Sequence, residues 1–329
     1  MLDRSRMSLR QIVVLGASAL AVAALLVDFA FRRDLAMARL RASTGSSMAA
    51  TACGPIEYAV RGEGMPVLVV HGAGGGFDQG LVLGEALPGF RVIAPSRFGY
   101  LRTPLPADAS PEAQADALAC LLDFLQVPRA AVVGVSAGGP STMQLCLRHA
   151  DRCAAMVLLV PLAWSEGPGT AQRPMSPLER FLLDRALRSD FVFWSLTRLL
   201  RGAMVESILG TPLADLREAT PADRRRTYEM LDLIQPISLR QQGLRNDAVV
   251  GQSLRRYPLE RLPAPTLVVS VEDDRYRTYG PARYTAAHVP AARFVGYARG
   301  GHLWIGHTAE LSAEVRKFLD EMSIMPAKQ

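Results

Sequence analysis

Seven short runs of aliphatic and β-branched residues punctuate the chain, and most are apolar at every position. They cover residues 56–60 (IEYAV), 67–70 (VLVV), 92–94 (VIA), 130–135 (AAVVGV), 154–160 (AAMVLLV), 266–271 (TLVVSV) and 293–297 (RFVGY). A strand with one wet face alternates apolar and polar residues, whereas a strand apolar on both sides is covered on both faces. Helical stretches separate these runs. Residues 111–127 begin with Ser110 as N-cap and Pro111 at the first helical position; residues 137–149 and 308–322 are further helices. Buried strands alternating with helices specify an α/β fold with a mostly parallel, doubly wound sheet. The 49% of hydrophobic residues suffices for such a core.

The alternation stops between residues 161 and 262, where the pattern is helical throughout. Expected helices are 177–188, 191–201 and 221–235, the last with Thr220 as N-cap and Pro221 following. An all-helical insertion before the last two strands of such a sheet is a lid or cap. Its stretch FVFWSLTRLLRGAMV is apolar over a wide face that packs on the main domain or lines a substrate cavity. The expected division is therefore a core over 53–160 and 263–325, with the lid over 161–262.

Residues 12–31 (IVVLGASALAVAALLVDFAF) carry one charge, Asp28. Twenty helical residues reach roughly 30 Å, enough to cross a bilayer core. Residues 1–31 read as a membrane anchor, or as a signal segment cleaved near Ala21-Val22-Ala23, and residues 32–52 as a linker. The catalytic domain is then expected outside the cytoplasm. The net charge of +6 is concentrated here: seven Arg and three Asp among the first 41 residues leave about +2 for the rest. This is no nucleic-acid surface. Cys53, Cys120, Cys146 and Cys153 form no CxxC pair, which argues against a zinc or redox site, and they read as buried free thiols.

The run at 67–70 ends in HGAGGG, a turn whose amides face something negative. A dinucleotide fingerprint, G-x-G-x-x-G/A, fails at Phe77 from Gly72 and at Gln79 from Gly74, and no Gly-Lys-Ser/Thr exists for a P-loop. The other glycine turn is Gly134-Val135-Ser136-Ala137-Gly138, between a strand and a helix. This fits a nucleophile elbow, G-x-S-x-G, in which a serine on a tight turn needs small neighbours two positions away. A serine hydroxyl needs a base, and the base an orienting acid. Of five histidines, His302 follows the 293–297 strand at the carboxyl edge of the sheet, where ligands bind. The preceding strand runs into Glu272-Asp273-Asp274, three candidate acids.

With these residues in hand, the chain from about 54 to 322 resembles the α/β-hydrolase superfamily, in its lidded, serine esterase and lipase-like branch. The order Ser136…Asp…His302 is that family's order. VSVEDDRYRTYG is similar to the family's turn after the acid strand, which implies Asp274 as the acid and Asp273 as second choice; Val271 and the missing proline depart from it. HGAGGG resembles the family's H-G-x-G oxyanion strand. The resemblance implies backbone donors from Ala73 or Gly74 and from Ala137. Ser96 stands where the family's next turn usually has aspartate. Trp304, near His302, matches carbon–carbon bond hydrolases in part. A serine rather than an aspartate nucleophile argues against dehalogenases and epoxide hydrolases.

The expected function is hydrolysis of a small apolar ester through an acyl-enzyme on Ser136, without cofactor or metal. The same triad also serves carbon–carbon bond hydrolases, perhydrolases and acyltransferases, and a silent binding protein could keep the fold.

Overall fold

The computed structural model describes residues 8–166, 185 and 187–324. Eight strands form one sheet: β1 (Ser47–Thr51), β2 (Gly54–Arg61), β3 (Met65–Val70), β4 (Phe90–Pro95), β5 (Ala130–Val135), β6 (Cys153–Leu159), β7 (Thr266–Val271) and β8 (Arg293–Tyr297). Their spatial order is β1-β2-β4-β3-β5-β6-β7-β8. β2 pairs antiparallel with β1 and β4, and the other pairs are parallel. Every residue of β5 and β7 is buried. That matches strands apolar on both faces.

Helices α2 (Phe77–Gly84), α3 (Pro111–Phe124) and α4 (Gly139–Arg148) link the strands up to β6. α10 (Tyr279–His288) and α11 (Thr308–Ile324) follow β7 and β8. One side of the sheet packs on α3 and α4 through Leu118, Leu122, Met143 and Leu145. The other packs on α11 through Leu311, Val315 and Phe318. The chain leaves β3 toward β4 on one side and leaves β5 toward β6 on the other. The carboxyl ends of β3 and β5 therefore flank the crevice where such sheets bind ligands.

Between β6 and β7 lie five described helices: α5 (Asp190–Leu199), α6 (Arg201–Ile208), α7 (Leu213–Glu218), α8 (Pro221–Leu233) and α9 (Gln241–Ser253). They share a separate apolar cluster that includes Phe193, Val205, Leu231 and Ile234. Most of the helix expected over 177–188 falls outside the described residues.

Two expectations change. Residues 32–52 are not a linker: α1 is one helix over Leu9–Ser43, and β1 follows it. Leucine, alanine and arginine, good helix formers, dominate residues 35–42 (LAMARLRA), so nothing interrupts the helix where the apolar run ends. Ala38 and Ala42, one turn apart, are buried. Beside them Phe31 meets Phe191 and Trp194 at centroid distances of 5.1 and 5.6 Å. Asp34 accepts from Trp194 Nε1 at 3.0 Å, and Arg41 donates to the Asp232 carbonyl at 2.7 Å. The helix thus seats on α5 and α8.

The cysteines are also not free. Cys53 is joined to Cys120, and Cys146 to Cys153. Tertiary proximity explains this: the β1–β2 turn lies against α3, and α4 returns directly into β6. Neither contact is visible in sequence spacing.

Candidate active site

Ser136 follows β5 with φ +50°, left-handed backbone that a non-glycine residue rarely adopts. Such strain costs about 1–3 kcal/mol and persists only where the surroundings enforce it. The small neighbours have a measurable reason. A Cβ on Gly134 would lie 2.4 Å from Thr142 Oγ1, and one on Gly138 would lie 2.4 Å from the Val70 carbonyl oxygen. The turn is a single 3₁₀ turn, Ser136–Gly138, leading into α4. The Ala137 amide therefore sits at a helical N-terminus, where amides lack intrahelical acceptors and favour negative charge.

His302 is placed by the loop after β8, where Gly300 and Gly301 have φ +123° and +62°. Its Nδ1 lies 2.8 Å from Asp274 Oδ2. Asp274 also accepts from the Tyr276 amide at 2.8 Å and from the Thr278 hydroxyl. Burial by itself raises the Asp274 carboxyl. The His302 ring, Thr278 and the Tyr276 amide outweigh it, so the group stays below the ordinary carboxylate range. Asp273 has other partners: its carboxylate accepts the Gly301 amide at 2.8 Å and the Gly300 amide at 3.3 Å. It shapes the loop that presents His302. Glu272 is exposed. No hydrogen bond joins Ser136 to His302 among the described residues.

The glycine loop separates the two candidate amides. The Gly74 amide donates to Tyr100 Oη at 3.3 Å. Ala73 is exposed, and its amide has no acceptor among the described residues. A Cβ on Gly72 would lie 3.2 Å from Ser136 Cβ, so the loop runs directly beside the elbow. His71 holds the loop in place. Its Nε2 accepts the Arg97 amide at 2.9 Å, so Nδ1 carries the proton and donates to the Gly72 carbonyl at 2.7 Å. Full burial, then the neighbouring Arg97, hold its pKa well below the usual histidine value.

Sequence reasoning missed the contributions of the cap. Arg97 forms a two-pronged ion pair with Asp247 of α9, both contacts 2.7 Å. Arg240 is buried against Asp78, at 2.7 Å, and also binds the Gly75 carbonyl. The Gly210 carbonyl accepts the amides of Arg275 and His302 at 3.1 and 3.3 Å. The Tyr276 ring meets His302 edge-on at 4.8 Å, and its hydroxyl donates to the Ile208 carbonyl at 2.8 Å. No motif marks these partners, because each pair joins residues far apart in the chain. Trp304 is buried among Val69, Val133 and Leu311, on the α11 side of the sheet.

Residues 65–305 match the sequence profile of the alpha/beta hydrolase fold, and the chain belongs to that family. A 2-hydroxymuconate semialdehyde hydrolase from Pseudomonas sp. (strain CF600) is 26% identical over 280 residues, which is 79% of this chain and 88% of that protein. An alpha/beta hydrolase fold protein from Nakamurella multipartita superposes with a TM-score of 0.70 at 28% identity, covering 84% of this chain and 99% of that one. The enol-lactonase from Burkholderia xenovorans LB400 shares the fold, with a TM-score of 0.61 at 21% identity over 83% of this chain and all of its own.

Proposed function

We propose that the chain is a serine hydrolase that cleaves a bond beside a carbonyl, with Ser136 as nucleophile, His302 as base and Asp274 as the orienting acid. The pairing of His302 with the buried Asp274, across the carboxyl edge from a strained Ser136, carries this reading. His302 Nε2 takes the proton as Ser136 Oγ bonds to the carbonyl carbon, and returns it to the carbon or oxygen that leaves when the adduct collapses. Water, with His302 again as base, then releases the acyl group, while Asp274 fixes the tautomer and stabilises the imidazolium. The tetrahedral oxyanion is held by the amides of Ala73 and Ala137, each donor contributing roughly 3–4 kcal/mol. Gly74 supports the loop, since its amide is committed to Tyr100.

For the bond itself, relatives matched over most of both chains favour a carbon–carbon bond. The compound named for the Pseudomonas relative is an aldehyde and carboxylate without an ester, so its hydrolysis breaks carbon from carbon. Ester hydrolysis is the second reading. It is favoured by Arg97 and Arg240, whose charges are already met by Asp247 and Asp78 and so are not offered to a substrate carboxylate.

A fluorophosphonate probe tests the chemistry: label on Ser136, absent in Ser136→Ala, is expected, and a folded protein that takes no label defeats it. Comparing a vinylogous diketone with acetate, butyrate and octanoate aryl esters then separates the two bonds. The long apolar α1 and the two disulfides favour a membrane-anchored enzyme with its catalytic domain in an oxidising compartment outside the cytoplasm. Cleavage of the catalytic domain by protease added to intact cells would support this, and full protection until lysis would overturn it.

A further inference from the structure

A cavity lies beneath α8, on the α11 side of the sheet, with a volume of about 360 Å³. Its floor is Val69, Val133 and Leu159, from three central strands, and Leu311 forms a wall. Ser136, Asp274 and His302 do not line it. The volume is at the low end of the roughly 300–1,000 Å³ typical of small-molecule sites.

The rim is polar. Arg225 and Glu229 are exposed to solvent on α8, and Glu85 is paired with Arg61 at 3.0 Å. Arg226 is different. Its Nε is buried without a partner, and it forms no ion pair among the described residues, so unlike Arg225 its charge is drawn out of solvent with nothing to meet it. Its Nη2 donates to the Leu303 carbonyl at 2.5 Å, and its guanidinium lies 5.2 Å from the Trp304 ring centroid. Burial pulls its pKa down to about 10, although Asp223 acts in the opposite sense. A partly buried guanidinium whose Nε has no partner carries a desolvation cost, and an anion at this rim would offset part of it.

We propose that this cavity binds a medium-length alkyl carboxylate, with its head group on Arg226 and its tail along the floor of valines and leucines. A neutral chain would leave the guanidinium unpaired, and a short anion would leave the floor unfilled. The site is distinct from the catalytic residues, so the inference does not depend on the catalytic reading. It does touch them through the backbone: Arg226 holds the carbonyl of Leu303, the residue after His302.

The test uses the full chain in lipid nanodiscs and decanoic acid carrying a diazirine near its tail end. Photolabelled residues are identified by peptide mass spectrometry, with the matching decanol probe as control. Label is expected on peptides of α2 and α11, competed by plain decanoate. It should fall roughly tenfold in Arg226→Met, nearly vanish in Val82→Trp, which fills the cavity with Arg226 intact, and persist in Ser136→Ala. Equal labelling by the alcohol overturns the proposal. So does label confined to α1 or to the neighbourhood of Ser136, label insensitive to Val82→Trp, or no label at all.

Discussion

The Tyr100 hydroxyl joins the glycine loop to the cap: it accepts the Gly74 amide at 3.3 Å and donates to Asp247 Oδ2 at 2.5 Å. The Arg97 guanidinium completes the cluster, binding Asp247 and also the carbonyls of His71 and Gly72 at 2.9 and 3.2 Å. The glycine loop beside the Ser136 elbow is thereby tied to α9. Tyr100→Phe leaves the Gly74 amide unsatisfied and should cost about 1–3 kcal/mol of stability. Asp247→Ala leaves a buried guanidinium unpaired and should cost about 3–5 kcal/mol. Urea unfolding followed by circular dichroism reads both, and equal costs would mean that the ion pair is not the stronger tie.

Asp273 and Asp274 should part company on substitution. Asp274→Asn removes the charge at His302 Nδ1 and favours the wrong ring tautomer, so kcat on any turned-over substrate should fall about 10⁴-fold. Asp273→Asn keeps one acceptor for the Gly300 and Gly301 amides. It should leave kcat within roughly tenfold and cost about 1 kcal/mol of stability. The reverse ranking would move the acid to Asp273.

Reduction should weaken the fold substantially. Cys53 and Cys120 are 67 residues apart in sequence. A cross-link closing a loop of that size stabilises by about 4 kcal/mol on the chain-entropy account. The double variant Cys53→Ser/Cys120→Ser should therefore lower the thermal midpoint by several degrees under oxidising conditions. Dithiothreitol should then affect the variant less than the parent protein.

His71 predicts an acid-side loss of stability. Its folded pKa is depressed, while an unfolded histidine titrates near 6.5. Below about 6.5 the unfolded chain binds a proton that the folded chain refuses, so stability rises with pH there and is fully present above it. The slope attributable to this residue is at most about 1.4 kcal/mol per pH unit. His71→Gln should be less stable at pH 7 yet show a shallower decline between pH 7 and pH 5. Parallel curves in thermal melts would show that other groups carry the acid sensitivity.

What was legible in the chain was local. The G-x-S-x-G turn, the HGAGGG turn and the buried strands are short-range patterns, and the structure places each in the expected kind of element. The antiparallel β1 was missed because SMAAT is too short and small to show a period. Residues 32–43 were misread for a related reason: composition shifts there, but helix formation does not stop.

The sequence by itself determined the class of fold, because strands apolar on both faces that alternate with helices are covered as a mostly parallel sheet. It also marked the strained turn at Ser136, since the small residues of G-x-S-x-G permit that backbone. Tertiary structure alone decided which of two adjacent aspartates meets His302 and which of two adjacent amides keeps its proton unclaimed. It also decided which cysteines meet, and that Trp304 turns away from the site toward Arg226. Each of these depends on contacts between segments distant in the chain, and local sequence patterns carry no information about which distant groups will share a partner.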